Sequence, residues 1–363
     1  MTVRAAAGRP LVVPVFLPHA GCPHRCVFCN QSAITGAESF SARPNPDRIV
    51  RQIESFLAAS RPRPLVHIAF YGGNFLGQTP QAVQELLGVA GAYVSGGKAN
   101  GIRFSTRPDT VDKQNLDAMA PFPVDTVEIG AQSLDDRVLK RSRRGHLTSD
   151  TAAAVGLLKS RGYRVGLQLM IGLPGQSWDS ALASAAQAAA LAPDFVRIYP
   201  ALVLAGSPLA RWYRRGRYRP LRLEAAVSLA AQMVGIFSEQ HIPVVRMGLQ
   251  ATEDIRPGSQ VLGGPCHPAF GELVRSAVWL QRLQDALFDA GENSELRIWV
   301  HPRTESQVRG QNNQNIALMK TRCSLQSISV IKENSLDPET IRIEAGEKLR
   351  RVLRCGPVKK RSP

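Results

Sequence analysis

Short apolar runs alternate with stretches of helical spacing along most of this chain. Six runs have the length and the β-branched or aromatic content of buried strands, and they lie at 11–17, 66–71, 102–105, 124–129, 165–171 and 195–199. Between them, apolar residues recur every three or four positions, as in 48–57 and 177–191. A strand–helix series of this kind builds a parallel sheet through right-handed crossovers. The pattern therefore predicts an α/β fold, a partial (β/α)6 barrel.

The series fades after residue 204, and the pattern changes again at Gly263-Gly264-Pro265. A helix at 223–240 and a further strand at 244–249 precede this change. Beyond it we predict helices at 270–288 and 313–320 and strands near 296–300, 325–330 and 340–343. The chain is thus divided into a flexible N-terminus (1–10), a core (11–262), a small C-terminal α+β module (263–355) and a basic tail (356–363).

Glycine and polar residues follow the predicted strands at the positions where each strand ends. Gly72-Gly73-Asn74 comes after the second strand, and Ser105 and Arg107 end the third. Gln132 follows the fourth strand and Gly172 the fifth. The carboxyl ends of parallel strands lie at one edge of the sheet, where such folds carry their chemistry. Paired glycines there allow close approach of the backbone to a ligand, although a plain turn is the alternative for Gly72-Gly73.

Three cysteines follow the first strand at C-x3-C-x2-C spacing: Cys22, Cys26 and Cys29. Thiolates this close together on a glycine- and proline-bearing loop can hold an iron–sulfur cluster. No fourth cysteine lies nearby, so one iron of a four-iron cluster would stay open to a substrate or cofactor. The alternative is a structural zinc site in which His19 or His24 supplies the fourth ligand.

The remaining cysteines, Cys266, Cys323 and Cys355, are irregularly spaced, and we interpret them as isolated thiols, with an auxiliary cluster as the alternative. Clustered cysteines of this kind suit a reducing compartment better than a disulfide framework. No apolar run approaches the roughly 18 residues of a membrane span, and the N-terminus lacks the apolar region of a signal peptide. We therefore predict a cytoplasmic protein without a membrane partner.

The charge is strongly basic, with 45 Lys and Arg against 29 Asp and Glu and a net charge of +16. Such an excess favours a polyanionic partner, nucleic acid first, although an arginine-rich composition without such a partner is the alternative. Residues 211–222, the arginine segment, interleave arginine with Trp212, Tyr213 and Tyr218. Arginines and aromatic rings in this pattern can bind phosphates and stack on bases. The alternative is a solvated helix end whose aromatic rings pack on the barrel.

The motifs, taken in order, resemble the radical S-adenosylmethionine (SAM) core of the Elongator catalytic-subunit family, and its short bacterial relatives in particular. The resemblance covers residues 11 to about 262. It rests on Phe-Leu-Pro-His-x-Gly-Cys-Pro-His at 16–24, Tyr-Gly-Gly at 71–73, Ser-Thr-Arg-Pro-Asp at 105–109, Glu-Ile-Gly-x-Gln-Ser at 128–133, Arg-Gly-His at 144–146, Met-Ile-Gly-Leu-Pro-Gly at 170–175 and Arg-Ile-Tyr-Pro at 197–200.

This resemblance implies a radical SAM barrel with two cofactors, a [4Fe–4S] cluster and SAM. Cys22, Cys26 and Cys29 would bind the cluster, and Phe28 matches the aromatic residue that commonly precedes the last cysteine. The implied SAM contacts are Gly72, Gly73 and Asn74 for the methionyl end, Ser105, Arg107 and Gln132 for the carboxylate and ribose, and Gly172 for the adenine. Asn74 departs from the Ser, Thr or Glu that the family often has there.

By the same resemblance, the chain would cleave SAM reductively to a 5′-deoxyadenosyl radical, with an electron from a donor such as flavodoxin or ferredoxin. RNA, and tRNA in particular, is the expected substrate. One alternative is a radical SAM enzyme for a small anionic metabolite such as a tetrapyrrole carboxylate. Another is an iron–sulfur RNA-binding module without turnover.

Two departures limit what the resemblance implies. About 100 residues follow the core, and no glycine-rich loop for acetyl-CoA is found among them. The interval between the first two cysteines is also shorter than in the larger family members. Acetyl transfer is therefore not expected.

Overall fold

A computed structural model of the chain describes residues 10–23, 25–30, 45–249, 260–287, 295–345 and 349–355. The predicted flexible N-terminus (apart from Pro10), the predicted basic tail and the alternative zinc ligand His24 lie outside these residues.

Within the described ranges, seven parallel strands form one sheet that curls into a half-barrel. In sheet order they are β1 (Leu11–Phe16), β2 (Val66–Tyr71), β3 (Gly101–Thr106), β4 (Val124–Gln132), β5 (Arg164–Ile171), β6 (Phe195–Pro200) and β8 (Val244–Met247). The predicted α/β fold is confirmed, with one more strand than the six assigned to the barrel. The seventh is the further strand predicted near 244, which pairs in parallel with β6.

Helices connect these strands, and several of them begin at a side chain that caps the first turn. The Asn45 side chain accepts hydrogen bonds from the Asp47 and Arg48 amides, and Thr79 accepts one from Ala82. Such caps satisfy amides that have no partner within the helix. The helices of the core are α1 (Pro46–Ala59), α2 (Pro80–Ser95), α3 (Lys113–Met119), α4 (Asp136–Arg141), α5 (Thr148–Ser160), α6 (Trp178–Ala190), α7 (Pro208–Arg214) and α8 (Leu223–Glu239). None of the described helices is long and apolar enough to cross a bilayer.

The described residues of the C-terminal module form three helices and a mixed sheet. The helices are α9 (Phe270–Leu287), α10 (Glu305–Arg309) and α11 (Gln314–Arg322). The sheet holds β10 (Glu295–Val300), β11 (Ser327–Lys332), β12 (Thr340–Ala345) and β13 (Leu349–Arg354) in the order β11-β10-β12-β13. A short pairing of β7 (Val203–Leu204) with β9 (Val261–Gly263) lies near the predicted boundary. One apolar core, which includes Phe237 and Trp279, runs from the half-barrel into the module.

The two faces of the parallel sheet differ because alternate residues of a strand point to opposite sides. Ile102 and Phe104 of β3 belong to the apolar core beneath the helices. Arg103 lies between them in sequence, on the concave face. The interior of the half-barrel is therefore polar, although the strands themselves are deeply buried.

Glu128 is the centre of that polar interior and is fully buried. It accepts hydrogen bonds from Arg103 Nη2 at 2.7 Å and from Arg197 Nη2 at 2.9 Å. The Tyr71 hydroxyl donates to it at 2.8 Å and Gln168 Nε2 at 3.1 Å. Burial alone would raise the pKa of Glu128, but Arg197 and Arg103 bring it below its ordinary value. The carboxylate is therefore charged and joins β2, β3, β4, β5 and β6.

We predict that Glu128→Gln destabilises the fold by about 3–5 kcal/mol, because it leaves two buried guanidinium groups without their counter-charge. The free energy of unfolding from urea titration measures this loss. Glu54→Gln is the matched control, since Glu54 pairs with Lys98 at the surface, and it should leave the unfolding curve unchanged. Equal curves for Glu128→Gln and the wild type would contradict the prediction.

Candidate functional site

A cavity of about 690 Å³, which includes solvent at its mouth, opens at the carboxyl edge of the parallel strands. Nine of the eleven predicted site residues line it: Cys22, Cys26, Phe28, Cys29, Gly72, Gly73, Ser105, Arg107 and Gln132. His19, Arg25, Thr106, Gly130, Arg144 and Gln168 complete the lining. The two predicted residues that do not line it are Asn74 and Gly172. The fold thus brings together residues from four parallel strands and the cysteine loop, residues 17–30.

The cysteine loop is attached to the barrel by backbone hydrogen bonds at both ends. The Leu17 amide donates to the Tyr71 carbonyl at 2.7 Å, which extends the pairing of β1 with β2. Further along, the Val27 amide donates to the Ser142 carbonyl at 3.1 Å, and the Val27 carbonyl accepts from the Leu209 amide at 2.8 Å. The cysteines are therefore carried by a segment that is fixed to β2, to the chain after α4 and to α7.

Glycines are required where this loop lies against the turn after β2. A Cβ on Gly73 would lie 2.3 Å from the Ala20 carbonyl oxygen. A Cβ on Gly21, which has φ +70°, would lie 2.2 Å from the Asn74 carbonyl oxygen. Real Cβ atoms do not come this close to a carbonyl oxygen. The two backbones can therefore approach each other only because both residues are glycine. The packing of the two backbones is a role of Gly73 in addition to the predicted SAM contact. That contact stays a prediction.

Asn74 lies beneath the cavity and is fully buried. Its Nδ2 donates to the Gly21 carbonyl at 3.0 Å. Its Oδ1 accepts from the Thr106 hydroxyl at 2.7 Å, the Arg107 amide at 2.9 Å and the Thr110 hydroxyl at 3.0 Å. The side chain thus joins the cysteine loop to the end of β3. A direct contact with SAM stays a prediction.

Gly172 follows β5 with φ +77° and lies next to the arginine segment. Its carbonyl accepts a hydrogen bond from the Tyr218 hydroxyl at 2.6 Å, and Leu221 packs against its Cα. The Tyr218 ring is therefore directed into the barrel. This agrees with the alternative interpretation of the segment, a solvated helix end whose aromatic rings pack on the barrel. The six arginines of the segment are exposed, and they are Arg211, Arg214, Arg215, Arg217, Arg219 and Arg222.

Two buried arginines contribute positive charge to the cavity wall. Arg107 forms a bidentate pair with Asp109, with Nε to Oδ1 at 2.9 Å and Nη2 to Oδ2 at 2.7 Å. Arg144 donates to the Cys26 sulfur at 3.1 Å and to the Gly130 carbonyl at 2.6 Å. Burial raises the pKa of the Cys22 thiol and the neighbouring Cys26 adds to this, while the two arginines oppose it.

Arg144 is a site residue that the strand-end pattern does not identify. It follows α4 instead of a strand, and only its place in the Arg-Gly-His motif at 144–146 sets it apart from other arginines. The side chain lies against a cysteine 118 positions earlier in the sequence. A charged donor at a thiolate stabilises negative charge on sulfur, which is what a cluster ligand requires.

Gln132 shows that the cavity suits a polar ligand. Its backbone has φ +66°, and the register between β4 and β5 shifts between Ile129 and Gln132. Its Oε1 is buried and has no hydrogen-bond partner among the described residues. A buried acceptor without a partner costs free energy, and a bound hydroxyl or amine would remove that cost.

The arrangement of the thiols bears on the alternative of a zinc site. In the part of the chain that the structure describes, no three His, Cys, Asp or Glu side chains are grouped as a single metal ion requires. Cys22, Cys26 and Cys29 nevertheless share one cavity wall. Each thiolate of a four-iron cluster binds a different iron, so the sulfurs need not meet at one point. A shared wall is thus compatible with a cluster, while the alternative zinc ligand His24 lies outside the described residues.

Comparison with known families agrees with these observations. The model of the radical SAM superfamily matches residues 16–188, and that of the radical SAM C-terminal domain matches residues 193–279. The chain belongs to the radical SAM superfamily of enzymes. The predicted radical SAM core is thereby confirmed, and the cavity lies within its matched residues.

Similar proteins include members of the Elongator group. A tRNA uridine(34) acetyltransferase from Dehalococcoides mccartyi is 30% identical over 230 residues, 55% of this chain and 50% of that protein. Elongator complex protein 3 from Saccharomyces cerevisiae is 26% identical over 277 residues, 64% of this chain and 49% of that protein. The chain thus spans about half the length of these relatives.

The structure of an N-terminally truncated Elp3 from Methanocaldococcus infernus has the same fold. It superimposes with a TM-score of 0.56 at 24% identity, over 73% of this chain and 61% of that chain. The Elongator-like character of the core that the motifs predicted is confirmed.

We predict that Arg144→Gln retains a bound cluster but lowers its reduction potential. The guanidinium group at Cys26 stabilises the negative charge that reduction adds, and glutamine removes that positive charge. Redox titration monitored by electron paramagnetic resonance measures the potential. Arg141→Gln is the control, because Arg141 is an exposed arginine at the end of α4. Equal potentials for Arg144→Gln and the wild type would show that this contact has no electronic effect.

Proposed function

We propose that this chain is a radical SAM enzyme that modifies RNA, with tRNA as its substrate. The observation that supports the proposal best is that one cavity is lined by all three cysteines, by Phe28 and by five of the predicted SAM contacts. Those residues come from separate motifs, and a shared lining is what a common cofactor site requires.

Cys22, Cys26 and Cys29 would hold a [4Fe–4S] cluster, and Gly72, Gly73, Ser105, Arg107 and Gln132 would hold SAM. When bound, the two groups supply reductive cleavage of the SAM C5′–S bond and with it a radical able to abstract hydrogen. The protein residues do the rest. The absence of side chains at Gly72 and Gly73 lets a ligand approach the backbone, and the unpaired Gln132 Oε1 offers an acceptor.

Arg107 and Arg144 would orient anionic parts of the bound groups. The bidentate pair with Asp109 holds the Arg107 guanidinium in one position, and the Gly130 carbonyl does the same for Arg144. Side chains fixed in this way lose little entropy when a ligand binds. The buried Glu128 network below the cavity keeps the barrel strands in register while the ligand is bound.

RNA as the substrate rests on two independent observations. The similar acetyltransferases are named for tRNA uridine 34. The arginine segment contacts Gly172 through Tyr218, at the same carboxyl edge of the sheet as the cavity mouth, and its arginines are exposed. Phosphates bound there would bring a nucleotide to the cavity. A donor of the flavodoxin or ferredoxin type would supply the electron.

We predict that anaerobically reconstituted protein, once reduced, converts SAM to 5′-deoxyadenosine, and that tRNA increases the rate. Chromatography of the product measures both. Cys26→Ala should lose the iron and sulfide of the cluster together with the product. An alternative outcome is a rate of 5′-deoxyadenosine release that is the same with and without tRNA and rises with a small anionic metabolite. That result would favour a small anionic substrate over RNA. A verified, reduced cluster without any product would support the binding-module alternative.

We also predict that affinity for tRNA falls steeply with salt, because bound phosphates release counterions. Replacement of Arg214, Arg215, Arg217 and Arg219 with alanine should flatten the salt slope by roughly one unit for each phosphate that the variant no longer binds. Fluorescence titration at several salt concentrations measures the slope. The control is the alanine variant of four other exposed arginines, Arg48, Arg51, Arg61 and Arg63. The same slope in both variants would mean that the arginine segment is a solvated face.

A further inference from the structure

A second basic surface lies outside the cavity, around the end of α4. An open groove there of about 1090 Å³, a volume that includes solvent, is lined in part by Arg137, Lys140 and Arg143, all of them exposed. Leu147 lies in the same groove and exposes 53% of its surface. An apolar centre with a polar rim is the arrangement found in protein interfaces.

The groove, which we call the basic groove, also contains two carboxylates that are already engaged. Asp136 accepts a hydrogen bond from the Thr148 amide at 2.8 Å, and Asp150 accepts one from the Leu147 amide at 2.7 Å. They hold the turn that presents Leu147. Arg137 pairs with Asp135 at 3.3 Å while 91% of its side chain stays exposed, and Lys140 and Arg143 are exposed as well.

The wall behind the basic groove is in direct contact with the cysteine loop. Val138, on the inner side of α4, packs in one apolar cluster with Phe28. The chain after α4 reaches the loop through the Ser142 carbonyl and through Arg144, which contacts the Cys26 sulfur. One layer of side chains therefore separates this surface from the cysteines.

His146 forms the buried floor of the basic groove and carries no charge at neutral pH. Burial lowers its pKa to about 3, and Arg144 and Arg107 add to the effect. Its Nε2 lies 3.3 Å from the Ala131 carbonyl. The floor is thus uncharged, and the positive field of the groove comes from its rim.

We infer that the basic groove is the docking site for an acidic one-electron carrier protein of the flavodoxin type. The inference rests on the proposed function, since it assumes a cluster at the three cysteines. One electron leaves the reduced carrier and enters the cluster, and no proton or further reactant takes part. Opposite charge would speed the encounter, and Leu147 would supply the apolar contact at its centre.

An RNA partner fits this surface less well. The lining of the basic groove has three exposed cations, and the apolar Leu147 side chain offers nothing to phosphates. The arginine segment, in contrast, has six exposed arginines and no acidic residue within 211–222. The two basic surfaces therefore differ in chemistry, and the groove that adjoins the cysteines suits a protein.

The test compares two reductants of the cluster-loaded protein. In R137E/K140E/R143E, reduction by an acidic flavodoxin should slow on the order of tenfold or more at low salt, and the rate should lose its dependence on salt. Reduction by dithionite, which needs no docking site, should match the wild type. The control R51E/R61E/R63E makes the same change in net charge on exposed residues of α1 and the chain after it, and it should behave as the wild type with both reductants.

A binding measurement completes the test without turnover. Calorimetry with oxidised flavodoxin should show affinity reduced about fivefold or more by Leu147→Ala, as for a central contact residue. Unchanged flavodoxin kinetics in R137E/K140E/R143E would overturn the inference, as would equal slowing with both reductants. Loss of tRNA affinity with unchanged flavodoxin kinetics would assign the groove to RNA instead. Failure of the proposed function is a separate result, seen as no 5′-deoxyadenosine from a dithionite-reduced cluster.

Discussion

The hydrogen bonds of one buried amide, that of Asn74, fix the geometry of the site. A side-chain amide has donors and an acceptor on one rigid plane, and here they bind the cysteine loop on one side and the end of β3 on the other. Gly21 and Gly77 allow the backbones to meet across it, since a Cβ on either would collide with the opposite segment. The cysteines and Arg107 consequently belong to one rigid unit, although more than 75 positions separate them in the sequence.

The sequence was most informative where structure depends on local patterns. Apolar runs predicted the parallel strands. Strand-end residues and the cysteine motif together predicted nine of the fifteen residues that line the cavity, because parallel strands end at one edge. It was least informative about pairs formed across strands. Nothing near Glu128 in the sequence predicts Arg103 and Arg197 as its partners. Periodicity shows which face of the sheet a residue lies on, but not which residues of the other strands lie beside it. Tyr218 illustrates the same limit, because an arginine-flanked aromatic residue can face solvent or the barrel.

Positive charge is distributed in two different ways in this protein. In the half-barrel, Arg103 and Arg197 share the Glu128 carboxylate, which offsets one of their two positive charges and keeps the strands together. On the surface, the arginine segment and the rim of the basic groove carry exposed cations that partners can still approach. A net charge of +16 therefore combines a buried, structural part with an exposed part, and composition alone does not separate them.

The cavity and the basic groove share no lining residue. A single wall, built from α4 and the residues up to His146, lies between them. If the two openings receive different partners, neither partner has to leave before the other arrives, and a complex of three components can assemble in either order. Electron supply and substrate exchange would then not compete for the same opening.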